Sequence, residues 1–236
     1  MKFGNMHIST ERQVLHMKKG LTELVFILDR SGSMEGLEKD TIGGFNGMLE
    51  KQKKETGEAN VTTIIFDDQI EVIHDRFPIE IVQPMTEKDY YVRGCTALLD
   101  AVGQTMEKIE NIQNRLPDEM KAEKVIFIIT TDGQENASQE YSAERIKKMI
   151  ERNQENGWQF LFLGANIDAV TEAEKLGIRK SHAASYKNDS KGVQLNYQAA
   201  TNILLYMRSM ECDSDEMDLQ ISKLLKPIRD HLRRKS

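Results

Sequence analysis

Cysteine is nearly absent. Cys95 and Cys212 are the only two in 236 residues, too few for a disulfide scaffold or a cysteine-built metal cluster, and they read as reduced thiols of a cytosolic protein. Proline is scarce as well, with four in all, which excludes a collagen-like or proline-rich chain. No apolar run approaches the roughly 20 residues of a membrane-spanning helix, so no membrane association is expected. The stretch before Leu21 has basic residues but no apolar central segment, and does not read as a secretory signal. Positive charge is not in excess: 32 Lys and Arg against 38 Asp and Glu give a net charge of −6, unlike the basic footprint of a nucleic-acid-binding surface. The five histidines are scattered and form no His-Glu-x-x-His pair. A phosphate-cradling Gly-rich loop ending in Gly-Lys-Ser/Thr is missing, and Ser33 lacks the Gly-x-Ser-x-Gly elbow of a hydrolase nucleophile.

What the chain does have is a set of short, continuous apolar runs. Leu24–Leu28, Val61–Phe66, Val125–Thr130 and Trp158–Leu163 are rich in β-branched and aromatic residues. Continuous rather than alternating hydrophobicity implies strands buried on both faces, as in a parallel sheet covered by helices. Between the runs the period changes to that of a helix. Ile42, Phe45, Met48 and Leu49 share one face; Leu98, Val102, Met106, Ile109 and Ile112 form a second stripe; Ile146, Met149 and Ile150 form a third. Alternation of this kind gives βαβ units. Ile70–His74 follows Val61–Phe66 across only Asp67-Asp68-Gln69, a spacing for a hairpin and hence one antiparallel edge strand. A short helix near Ala169–Leu176, a last edge strand around His182–Tyr186 and a long helix burying Val193, Tyr197, Ala200, Leu204 and Met207 complete the pattern. The expected fold is therefore α/β, a doubly wound, mostly parallel six-stranded sheet with helices on both faces.

Residues 1–20 read as a weakly ordered arm and 21–210 as the sheet domain. Residues 211–236 read as an amphipathic helix packed on it, with Met217, Ile221, Leu224, Leu225, Ile228 and Leu232 on the apolar side and Pro227 as an interruption. Trp158 reads as core, and His74 as an exposed strand-end residue.

The polar residues at the strand ends carry the chemistry. Asp29-Arg30-Ser31-Gly32-Ser33 directly follows the first apolar run. Alone it is a turn with a helix cap. Two further segments change that: Gly94-Cys95-Thr96 precedes the second helix, and Thr131-Asp132-Gly133 follows the Val125 run. In a doubly wound sheet, ligands bind outside the carboxyl ends of the strands where the chain order reverses. If the Leu24 and Val125 strands are neighbours there, Asp29, Ser31, Ser33, Thr96 and Asp132 supply two carboxylates and three hydroxyls to one concavity. Such oxygen donors suit a hard divalent cation such as Mg²⁺, which takes about six oxygens and retains several waters. Neutral hydroxyl ligands leave the cation electrophilic, so an open position favours a carboxylate from another protein.

These residues resemble the metal-ion-dependent adhesion site (MIDAS) of the von Willebrand factor type A family, whose pattern is Asp-x-Ser-x-Ser, a distant Thr, then a distant Asp. Asp29, Ser31, Ser33, Thr96 and Asp132 match it in order over about residues 21–185. The resemblance implies Mg²⁺ or Mn²⁺ at the top of the sheet and binding of a protein partner that presents Asp or Glu. In the family the serines commonly ligate directly, while the threonine and aspartates exchange direct and water-mediated roles. Where Cys95 stands the family often has a second glycine, and a side chain there is expected to stiffen or reshape the loop. The cytosolic character is similar to the bacterial intracellular branch, whose members often work with ATPase-containing assemblies; that association is one of fold analogy. The alternative is a metal-dependent phosphoesterase using the same site. Against it, the position two residues after Asp29, where an aspartyl-phosphate enzyme has its second acid, is Ser31.

Overall fold

The computed structural model describes residues 20–165, 167–209 and 214–233. The expected N-terminal arm, apart from Gly20, lies outside them, as does Cys212. Six strands form one sheet: β1 (Thr22–Asp29), β2 (Ala59–Phe66), β3 (Ile70–Pro78), β4 (Lys124–Thr131), β5 (Gln159–Ala165) and β6 (Ala183–Tyr186), in the order β3-β2-β1-β4-β5-β6. Every neighbouring pair is parallel except β2 and β3, which form the antiparallel hairpin. Seven helices are described: α1 (Glu38–Gln52), α2 (Leu98–Arg115), α3 (Ala143–Glu155), α4 (Ala169–Lys175), α5 (Ser190–Ser209), α6 (Ser214–Leu224) and α7 (Lys226–Arg233). No helix among the described residues is long and apolar enough to cross a membrane.

Burial of β1 on both faces explains its unbroken hydrophobicity. Leu24, Phe26 and Leu28 point into a core shared with Phe45 and Met48 of α1 and Tyr197 and Leu204 of α5. Val25 and Ile27 enter the opposite core with Val102 and Met106 of α2 and Ile146 of α3. Phe26 meets Phe45 edge-on at 5.3 Å between ring centroids, and Trp158 stacks on Phe127 in the second core, geometries in which aromatic pairs attract beyond their area burial.

Two details differ from the sequence expectation. His74 is buried: β3 runs on to Pro78, and the chain then folds back so that His74 Nε2 meets the Gln83 carbonyl oxygen at 3.0 Å while Nδ1 meets Thr63 Oγ1 at 2.9 Å. The longer strand is irregular. Its register with β2 shifts around Thr63, and Arg76 adopts φ +51°, which turns its guanidinium onto both oxygens of buried Glu23 at 3.0 Å.

The tail is interrupted near Pro227, as expected, and forms two helices. The break falls at Leu225, and Pro227 sits in the first turn of α7, where a missing N–H costs no helical bond. Ile221, Leu225 and Ile228 join the first core, whereas Leu232 is 41% exposed because the short α7 turns it outward.

Candidate metal centre

The sheet order reverses between β1 and β4, and their carboxyl ends deliver Asp29 and Asp132 side by side. Both are buried, each only 2% exposed. Asp29 is held by its own loop and by the neighbouring strand: Ser31 N–H donates to Oδ1 at 2.7 Å and the Thr131 hydroxyl to Oδ2 at 2.6 Å. Ser33 Oγ donates to Asp132 Oδ1 at 2.7 Å, Ser31 Oγ lies 3.5 Å from the same oxygen, and the two serine hydroxyls are 3.2 Å apart.

Thr96 completes the set through Gly133. A Cβ at position 133 would lie 2.7 Å from Thr96 Oγ1, 3.5 Å from Ser33 Oγ and 3.6 Å from Ser31 Oγ, so three hydroxyl oxygens face the one point that glycine leaves open. Helix capping does not compete for them. α2 begins after Ala97 without a side-chain cap, and Ser33 lies in a short 3₁₀ turn ahead of α1. All five expected residues are thus brought together.

Their positions are enforced by residues outside the five. Asn136 Oδ1 accepts the Thr96 N–H at 2.9 Å, and the Tyr90 hydroxyl donates to the Asp29 carbonyl at 2.6 Å. Asn188, in the β6–α5 loop, donates its amide to the Ser33 carbonyl at 2.9 Å and reaches Asp132 Oδ2 at 3.5 Å. Arg30, fully buried, ties the loop to Asp67 and Glu71 at 2.9 and 2.6 Å. Thr131 was in plain view as the neighbour of Asp132. Tyr90 and Asn188 sit in aperiodic loops and carry no local signal.

The turn before Thr96 is built on Gly94. Gly94 has φ +71°, and a Cβ there would collide with the Asp68 side chain, so glycine is required at that position. Cys95 is exposed.

Burial dominates the electrostatics of the two carboxylates. Burial pushes the Asp29 carboxyl up from the ordinary aspartate range, against the lowering effect of its bonds from Thr131 and Ser31. Burial, opposed by the bond from Ser33 and reinforced by the negative Asp29, pushes Asp132 up to about 6. Two desolvated carboxylates are stabilised as anions by a nearby cation. No group of three or more His, Cys, Asp or Glu able to hold a metal occurs among the described residues; the oxygens gathered here are three hydroxyls and two carboxylates. Oxygen donors of this kind suit a hard cation.

No protein-family model matches the sequence, and no curated protein matches it. Solved structures do. Proximal thread matrix protein 1 from the mussel byssus, in a form with a zinc-occupied MIDAS motif, is 15% identical over 81% of this chain and 47% of its own, with a TM-score of 0.52. The von Willebrand factor type A protein from Catenulispora acidiphila is 13% identical over 78% of this chain and 42% of its own, with a TM-score of 0.51. The chain spans less than half the length of either. At such identities the likeness is one of architecture, and the architecture of this chain is the von Willebrand factor type A fold.

Proposed function

We propose that this chain is a divalent-cation-dependent protein-binding module, in which Asp29, Ser31, Ser33, Thr96 and Asp132 hold Mg²⁺ or Mn²⁺ and the cation receives an Asp or Glu side chain from a partner. The observation that carries this reading is the convergence of three hydroxyls on the Gly133 gap beside two buried aspartates. The zinc-occupied MIDAS of the byssus protein supports a metal at the corresponding place in the fold.

The cation's contribution is Lewis acidity toward an anionic oxygen. The chain's own residues set the terms. Ser31 N–H and Thr131 keep Asp29 oriented as an acceptor, and Ser33 fixes Asp132 through Oδ1. The three hydroxyls add donor oxygens without charge, and an aspartate acting through water instead of directly would leave the ion electrophilic toward a partner carboxylate. Asp67 and Glu71, near the same end of the sheet, are paired with Arg30 and Arg93 and add little net charge there.

The binding role is favoured over phosphoester chemistry by what surrounds Asp29. Both of its oxygens already accept short hydrogen bonds, which stabilise the carboxylate and blunt it as a nucleophile.

The test is a cation titration followed by thermal unfolding. A ligand of the folded state raises the melting temperature by mass action, so Mg²⁺ or Mn²⁺ is expected to stabilise the protein and Asp132→Ala to erase the effect without unfolding it. Partner capture is expected to fail in EDTA. Stabilisation that survives Asp132→Ala, or capture that survives chelation, overturns the reading. We further propose a cytoplasmic setting and a partner within an ATPase-containing assembly; the scarcity of cysteine supports the first and the fold analogy the second. Affinity capture from a lysate with and without Mg²⁺, followed by identification of the retained protein, tests both.

A further inference from the structure

Mg²⁺ and Ca²⁺ carry the same charge, so two aspartates attract both. Ligand number separates them: magnesium holds to about six oxygens in octahedral array, whereas calcium takes about 6–8 and commonly draws both oxygens of a carboxylate. A protein disfavours calcium when the second oxygen of each carboxylate is already committed.

Asp29 meets that condition with two short bonds, and Asp132 meets it through a longer contact. Asp29 has each oxygen bonded, to Ser31 N–H at 2.7 Å and to Thr131 Oγ1 at 2.6 Å. Asp132 directs Oδ1 to the serine hydroxyls, at 2.7 Å from Ser33 and 3.5 Å from Ser31, while Oδ2 faces the amide nitrogen of Asn188 at 3.5 Å. That nitrogen also donates to the Ser33 carbonyl at 2.9 Å. Two acceptors on one side fix the amide orientation, because an inverted amide would set Oδ1 against two oxygens. The orientation leaves Asn188 Oδ1 buried with no hydrogen-bond partner, a situation rare enough in folded proteins to need a reason. The loop is braced from the far side: Asp189 accepts the Gly192 N–H at 2.6 Å and lies 3.3 Å from His231 Nε2 of α7.

We infer that Asn188 is a positioning residue that sets cation specificity, holding the outer oxygen of Asp132 and the backbone of Ser33 so that Asp132 offers one oxygen and the site takes a small octahedral ion in preference to calcium. The inference rests on the cation-binding reading above. It adds a selectivity filter supplied by a loop outside the Asp-x-Ser-x-Ser, Thr and Asp positions.

The experiment measures dissociation constants for Mn²⁺ and Ca²⁺ by calorimetry on the wild-type chain, Asn188→Ala and Asn188→Leu, with thermal unfolding in EDTA as the folding control. Wild type is expected to favour Mn²⁺. Loss of an outer partner of a metal ligand typically changes affinity by about 10–100-fold, and here the change falls on Mn²⁺ more than on Ca²⁺, so the ratio of the two constants is expected to drop about tenfold or more. A merely structural asparagine weakens both ions equally, and an unchanged ratio overturns the inference while leaving the cation site standing. Asn188→Leu keeps the side-chain volume without the donor and decides the matter if Asn188→Ala does not fold. Absence of saturable Mn²⁺ binding to wild type overturns the cation reading, and this inference with it.

Discussion

Thr131, the last residue of β4, donates its hydroxyl to Oδ2 of Asp29, the last residue of β1, across 2.6 Å of fully buried space. This bond ties the two strands together where the sheet order reverses and fixes the carboxylate on which the candidate site is built. Thr131→Val keeps the shape and removes the donor. Leaving a buried carboxylate oxygen without its partner costs about 1–3 kcal/mol, so urea unfolding is expected to show a loss of that order. Mn²⁺ affinity is expected to fall about tenfold as Asp29 loosens. An unchanged midpoint and affinity would show that Ser31 N–H alone positions Asp29.

The elevated Asp132 carboxyl predicts a pH signature. With its folded value near 6 and an unfolded value near 4, the native state holds this proton more tightly than the unfolded chain. Stability of the cation-free protein is therefore expected to fall as pH rises from about 4 to about 6, then level off; Asp29, also raised by burial, acts in the same sense. His74 and His182, whose burial lowers their values, work in the opposite direction. The contribution of Asp132 is isolated by comparing wild type with Asp132→Asn in EDTA. The two melting temperatures should converge near pH 4, and the asparagine variant should become the more stable one above pH 6. Added Mg²⁺ competes with the proton, so its stabilisation of wild type should be small at pH 5 and full at pH 7.5. Parallel pH profiles for the two proteins contradict this account.

Gly133 offers a steric test of the convergence itself. A methyl group at this position would sit 2.7 Å from Thr96 Oγ1, so Gly133→Ala must push the threonine hydroxyl aside. Loss of Mn²⁺ binding with a cooperative unfolding transition still in place is the expected result, read by calorimetry and thermal melting. Undiminished binding would mean that the Thr96 hydroxyl has no part in the site.

How much of this was legible beforehand follows from the physics of each residue. The continuous apolar runs betrayed doubly buried strands, because Leu24, Phe26 and Leu28 serve one core and Val25 and Ile27 the other. The five oxygen-bearing residues were findable because turn chemistry at three strand or helix ends coincided with a known spacing. Asn188 was not findable: its place beside Ser33 and Asp132 depends on where the β6–α5 loop lands in space. His74 was misplaced because its burial is created by the return of the chain near Gln83, a non-local contact. Leu232 follows the apolar period of the tail but is carried past the edge of the core by the break at Leu225.

The two tail helices make a last prediction about where stability resides. α7 lies along β6, and Arg229 Nη2 donates to the Ala183 carbonyl at 3.2 Å, so the helix caps an edge strand that otherwise presents unpaired backbone. Ile228 is 1% exposed, in the same core as Ile221, Leu225 and the β1 side chains. Ile228→Ala is expected to cost about 2–5 kcal/mol, the range for emptying a packed aliphatic site, in urea unfolding followed by circular dichroism. A tail docked only loosely, and free to leave for a partner, would lose far less. A loss below about 0.5 kcal/mol, typical of surface substitutions, would therefore move α6 and α7 from the structural core to the interaction surface. The measured value separates these roles because burial in the shared core, unlike the amphipathic pattern, is not a property that a detachable helix retains.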